Sequence, residues 1–222
     1  MDAPNSGDFT GLVPLSFIIL LVTFFWEIYK SLQPANEKSS TEEAGLSSTT
    51  RRTQNWILTA ILGIASLFYF LIFRTPDPQS RVVYRYADWL PTTTLLVYNY
   101  WSLGTAYGWN GPPVLLLLVL NFFMIGLGYM TFIDPANETI YNVLSFGCLF
   151  IILWYFHDMS QYMRRIANER NDPQALRIAD AIWFFYAWPL YGIVHQFPSQ
   201  HDNGYAVLDV FTKAGYSAFL NL

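Results

Sequence analysis

Residues 207–215 read VLDVFTKAG. Two charged residues, Asp209 and Lys213, stand four apart inside a stretch that is otherwise apolar from about residue 205 onward. On a helix that spacing puts both on one face. A buried lysine keeps its charge only beside anions, so the stretch describes a helix whose polar face meets something charged elsewhere in the chain. The matching partner is residues 84–99, YRYADWLPTTTLLVYN. There Arg85, Asp88 and Thr92 recur at i, i+3 and i+7 and share one helical face.

Outward from these two stretches the chain is strongly apolar. Of 222 residues, 53% are hydrophobic, 18% aromatic and only 13% charged, against about 25% charged in soluble domains. Most of the surface therefore faces something other than water. A net charge of −4 gives no basis for a nucleic-acid partner. The one cysteine, Cys148, excludes an internal disulfide and reads as a small core residue. The opening MDAPNSGDF has no basic start, and the apolar run after it reads as a mature membrane helix.

A spanning helix takes about 20 mostly apolar residues. Seven segments qualify: residues 11–30, 56–73, 82–103, 113–132, 140–162, 175–195 and 202–222. Turn-forming stretches, among them TPDPQS, GWNGPP, NERNDPQ and FPSQHDNG, separate them. The longest connection, Gln33 to Asn55, is polar and reads as a loop. The expected fold is an all-α, seven-transmembrane-helix bundle, one domain over residues 1–222. Eight basic residues lie on or beside the connections after the first and fifth segments, against Arg74 and Arg81 on the opposite side. The excess, Lys38 included, puts the N-terminus outside and the C-terminus in the cytoplasm.

Removing the end charges leaves Arg85, Asp88, Asp209 and Lys213 deep in the spans. Intramembrane charges are costly and usually functional. The plainer reading, two ion pairs joining helices, does not account for two carboxylates converging on one lysine. Tyr69, Trp89, Phe185, Tyr186 and Trp188 fall at the same depth.

With these residues in view, the chain resembles the microbial (type 1) rhodopsins, the family of bacteriorhodopsin and proteorhodopsin, viral and algal members included. Residues 84–99 are similar to the family's RYxDWxxTTPLLL signature and 207–215 to its LDxxxK motif. FMIGLG at 123–128, FFYAWPLYG at 184–192 and IASLFY at 64–69 resemble its other pocket segments. The resemblance implies all-trans-retinal bound covalently as a Schiff base on Lys213. It implies Asp88 as primary counterion and proton acceptor, Asp209 as second counterion bonded by Tyr69, and Arg85 on the outward path. A pocket of Trp89, Thr93, Leu96, Met124, Gly128, Phe146, Phe185, Trp188, Pro189 and Thr212 follows, with Thr92 near enough to bond the Asp88 carboxylate. Leu96 falls where the family tunes between green and blue, and the Thr212 hydroxyl is expected to pull the colour toward blue. No metal is expected, nor an enzyme.

The implied activity is light-driven outward proton transfer from the Schiff base to Asp88. The usual proton-donor position holds Asn99, which has no proton to give. This favours direct uptake from cytoplasmic water and leaves two other readings open. A light-gated cation channel fits Asn99, but residues 56–73 carry no pore-lining carboxylate. A photosensor fits slow reprotonation and requires a separate transducer. The remaining partners are the lipid bilayer and other copies of the chain. Three acids lie near the cytoplasmic ends: Glu27 and Asp158 read as solvated or capped end charges, and Asp180 either pairs with Arg177 or carries a proton.

Overall fold

In the computed structural model, described here for residues 11–33, 46–197 and 201–220, the chain is entirely helix and turn among those residues. The opening MDAPNSGDF, Lys38 and most of the polar connection after residue 33 lie outside the described residues. Five uninterrupted helices come first: α1 (Leu12–Leu32), α2 (Ser48–Arg74), α3 (Pro78–Ala106), α4 (Val114–Ile133) and α5 (Glu138–Arg170). The sixth span is α6 (Pro173–Asp180), α7 (Ile182–Tyr186) and α8 (Pro189–His195) in line. The seventh is α9 (His201–Asp209), a π-helical turn (Val210–Gly215) and α10 (Tyr216–Leu220).

Each span packs against the next, and α9 returns against α1, which closes the bundle. Neighbouring spans therefore run antiparallel. The end where α1 finishes and α2 starts is called the inner end, and the opposite one the outer end.

The helices outrun the apolar segments that announce them. α2 starts at Ser48, eight residues before the expected 56, α3 at Pro78 rather than 82, and α5 runs to Arg170 rather than 162. Hydropathy marks where a helix meets lipid, whereas capping marks where it begins. Ser47 Oγ accepts the Thr50 N–H at 3.1 Å. Asp77 Oδ2 accepts the Ser80 N–H at 2.8 Å, ahead of Pro78 at the first helical position. The Ser80 hydroxyl and N–H also hold the exposed Asp77 carboxyl below the usual carboxylate range. Asp172 caps α6 through the Gln174 and Ala175 N–H groups. Asn171, in the left-handed conformation at φ 51°, ends α5.

The outside of the bundle is apolar: Val22 is 63% exposed, Leu115 68% and Trp154 74%. Among the described residues four helices are long and apolar enough to cross a bilayer by composition alone, α1, α2, α4 and the one ending at Arg170. α3 is more polar because it carries the charged face, and the last two spans are interrupted. The sixth is broken at Pro189, which has no N–H to give; the Phe185 carbonyl is taken instead by Trp188 N at 2.9 Å. The larger apolar cluster lies among α2 to α7 and α10, with Phe156, Phe185 and Tyr216 at its centre. A smaller one joins α1, α2 and the seventh span. Between the two lies a buried polar seam.

Candidate functional site

The seam begins on α3. Arg85, Asp88, Trp89, Thr92, Thr93, Leu96 and Asn99 are all buried, a helical stripe at three- and four-residue steps. Facing it, the π-helical turn carries Thr212, Lys213 and Ala214, also buried. Such wide turns inside α-helices frequently occur at functional sites.

Lys213 Nζ donates to Asp88 Oδ2 at 2.5 Å and lies 3.3 Å from Asp209 Oδ1. The two carboxylates are built differently. Asp209 Oδ2 accepts the Tyr69 hydroxyl at 2.7 Å and Trp89 Nε1 at 3.1 Å, and its Oδ1 accepts the Tyr191 hydroxyl at 2.8 Å. Asp88 has Lys213 alone: its Oδ1 is buried without a hydrogen-bond partner among the described residues. Burying a cation with two anions is costly unless the geometry and further hydrogen bonds compensate. Here Asp209 supplies the hydrogen bonds and Asp88 the shorter contact.

Thr92 is on the expected face, but its hydroxyl donates to the Asp88 main-chain carbonyl at 2.7 Å and not to the carboxylate. Thr93 and Thr94 bond the carbonyls four residues back in the same way, a common habit of threonine inside helices. Arg85 is held outward by Asp202, with Nη2 2.6 Å from Oδ1, and Asp202 also pairs with Arg81. The Arg85 guanidinium lies over the Tyr205 ring at 5.1 Å.

A cavity opens from Lys213 between the third to seventh spans. Of the residues expected around it, Trp89, Thr93, Leu96, Met124, Gly128, Phe146, Trp188 and Thr212 line it. Phe185, Pro189 and Tyr69 do not. Phe185 packs between Tyr100 and Phe156, at 4.8 Å from each ring, and contacts Trp188. Pro189 serves the break in the sixth span. Tyr69 is committed to Asp209. The sequence reading missed Tyr86, Tyr191, Tyr205 and His195, which also line the cavity. His195 is half-buried, 3.3 Å from Glu138 Oε1 and stacked on His201.

Two glycines keep the cavity open. A methyl group on Gly192 would collide with the Phe146 ring, and one on Gly128 would press on the Tyr86 hydroxyl at 3.3 Å.

Toward the inner end the seam is closed by amides. Asn99 Nδ2 donates to Gln54 Oε1 at 2.5 Å, Asn99 Oδ1 accepts the Tyr216 hydroxyl at 2.7 Å, and Gln54 Nε2 donates to Ser102 Oγ at 2.8 Å. Of the three inner acids, Asp180 pairs with Arg164 at 2.5 Å rather than with Arg177, and exposed Asp158 accepts Trp109 Nε1 at 2.9 Å. Glu27 is not a solvated end charge; its side chain is fully buried.

Comparison with known proteins gives one consistent answer. The family model described as "Bacteriorhodopsin-like protein" matches residues 39–222. A bacteriorhodopsin of Haloterrigena sp. (strain arg-4) is 29% identical over 148 residues, covering 61% of this chain and 57% of that protein. Bacteriorhodopsin-I of Haloarcula marismortui is 24% identical over 204 residues, covering 79% of this chain and 80% of its own length. The match thus spans less than two thirds of the first of these and more of the second. The crystal structure of viral rhodopsin OLPVRII superposes with a TM-score of 0.72 at 21% identity, covering 94% of this chain and 93% of that one. Blue light-absorbing proteorhodopsin from Med12 superposes at 0.71 and 14% identity, with the same coverage.

Proposed function

The chain belongs to the bacteriorhodopsin-like family, and on that premise we propose that it is a light-driven outward proton pump in which Asp88 takes the proton from Lys213 Nζ. Proteins of this family are multi-pass membrane proteins that hold retinal as a Schiff base on a lysine. Lys213 fits that role: it is buried, and the cavity kept open by Gly128 and Gly192 starts at its side chain. When bound, retinal supplies light absorption and an isomerisation that disturbs the contacts of the nitrogen it is bound to.

The observation that carries the proposal is the asymmetry of the two carboxylates. Three side-chain donors already occupy Asp209. Asp88 is nearer to Lys213 and has Oδ1 open to receive a proton. Arg85, drawn outward by Asp202, leads from Asp88 toward the outer end. With the inner end in the cytoplasm, as the basic residues indicate, transfer to Asp88 moves charge outward. A channel reading gains nothing from the resting geometry, because the Gln54–Asn99–Tyr216 chain closes the inner half.

Voltage-clamped photocurrent in a cell expressing the protein is the decisive test. The expected result is an outward current that keeps its sign at every voltage. A current that reverses with the cation gradient overturns the pump in favour of a channel. A coloured protein without current leaves a sensor.

Colour offers a smaller test. The Thr212 hydroxyl donates to the Leu208 carbonyl at 2.8 Å and sits 3.0 Å from the Tyr191 hydroxyl, on the cavity wall. Thr212→Ala is expected to move the visible band to longer wavelength, read from the absorption spectrum. An unmoved band means that these two bonds turn the hydroxyl dipole away from the chromophore.

A further inference from the structure

Among the described residues four carboxylates are buried: Glu27, Asp88, Asp172 and Asp209. Asp88 and Asp209 serve Lys213, and Asp172 caps α6. Glu27 alone has no such work. It sits on α1 more than one turn before the helix ends, and its Oε1 accepts Ser217 Oγ at 2.6 Å and Lys30 Nζ at 2.9 Å. Its Oε2 is buried with no hydrogen-bond partner among the described residues. A purely structural tie between α1 and the seventh span gains nothing from that bare oxygen, which costs free energy to bury.

Ser217 stands four residues inward of Lys213 along the seventh span, just past the π-helical turn. The other inward route, along α3, ends in the Gln54–Asn99–Tyr216 chain, which contains no carboxyl. Asp158 and Asp180 are on the surface side of their helices and are engaged by Trp109 and Arg164.

We propose that Glu27, acting through Ser217, relays the proton that returns to Lys213 Nζ from the inner end. The proposal rests on the reading of Lys213 as a proton-releasing site. The protonated carboxyl of Glu27 gives its proton to the Ser217 hydroxyl, whose own proton turns away from Glu27 and passes outward through water toward Lys213. The carboxylate left behind takes a proton from water at the inner end, beside Lys30. On the elements packed here the charged and titratable groups are Lys30 on α1, Lys213 and Tyr216 on the seventh span, and Arg177 of α6, whose Nη1 donates to the Leu220 carbonyl, while Arg51 and Arg52 stand at the inner start of α2, the helix packed against α1.

The test is flash photolysis of the visible band over a pH series, in wild type, Glu27→Gln, Ser217→Ala and Ser217→Thr, with light-minus-dark infrared spectra of each. Glu27→Gln is expected to bleach normally but to recover at least about tenfold more slowly at neutral pH. Its recovery rate should then follow proton concentration, and azide, a small diffusible weak acid, should restore it. Ser217→Ala should slow recovery, whereas Ser217→Thr, which keeps the hydroxyl, should not. A carboxyl infrared band should vanish in Glu27→Gln, and its frequency should shift in Ser217→Ala. If Glu27→Gln fails to fold, the Ser217 pair and the infrared shift decide alone. A wild-type recovery rate and pH profile in Glu27→Gln, or in Ser217→Ala, overturns the relay. The Asp88 infrared band separates the two readings: if it appears while recovery ignores Glu27, only the relay fails, and if neither band appears, both fail.

Discussion

Lys213→Ala protein is expected to stay colourless after addition of all-trans-retinal. Of the lysines described, Lys30 is near the end of α1, and only Lys213 opens on the cavity. The substitution also strips Asp88 of its one hydrogen-bonding partner, and removing half of a buried ion pair costs about 3–5 kcal/mol. A colourless sample could therefore be an unfolded one. Lys213→Arg separates the two causes, since it keeps the cation beside both aspartates while its guanidinium cannot form the Schiff base. It should be helical and monodisperse yet without a visible band, and Lys30→Ala should be coloured. A covalently loaded, coloured Lys213→Ala protein would falsify the assignment of the site.

Asp88→Asn is expected to shift the visible band clearly to the red and to abolish outward current. The carboxylate beside Lys213 stabilises the positive charge where it lies in the ground state more than where it lies after excitation. Removing it narrows the gap. Acidifying the wild type should give the same red shift, because protonation of Asp88 removes the same charge. Loss of the acceptor at 2.5 Å from Lys213 Nζ should lower the proton-transfer current by roughly 10²-fold or more. The control is Asp209→Asn. An amide there meets three donors, Tyr69, Trp89 and Tyr191, and each buried donor left unpaired costs about 1–3 kcal/mol. That variant should therefore lose thermal stability more than Asp88→Asn does. If neither Asp88→Asn nor acid moves the band, the counterion is Asp209.

The parts of this site that could be read from the sequence are those whose meaning does not depend on how helices rotate. Asp88, Asp209 and Lys213 stand out because charge is rare in apolar spans, and their spacing alone puts them on facing stripes. Tyr69 follows from the family motif. Tyr191 could not be found that way: the break at Pro189 changes the direction of the residues after it, and a wheel drawn through 175–195 does not know where that break falls. Asp202 looked like part of a turn and proved to be the anion that holds Arg81 and Arg85. Glu27 looked like an end charge because hydropathy ends at Lys30, while the helix and its packing against Ser217 do not. Thr92 illustrates a different limit, since position fixes its face but not which of two nearby acceptors on that face its hydroxyl chooses.

The π-helical turn at residues 210–215 makes the seventh span two rulers joined out of step. Counting in threes and fours from Asp209 assigns Lys213, Tyr216 and Ser217 to a single stripe. Across the wider turn that count slips, and the stripe divides: Lys213 meets Asp88 and Tyr216 meets Asn99, both on α3, while Ser217 turns to Glu27 on α1. One short length of chain thus addresses two neighbours on different sides. The outer half of the span and the inner half can each be aligned with a relative on its own phase, but a single ungapped phase carried through both will misassign one of them.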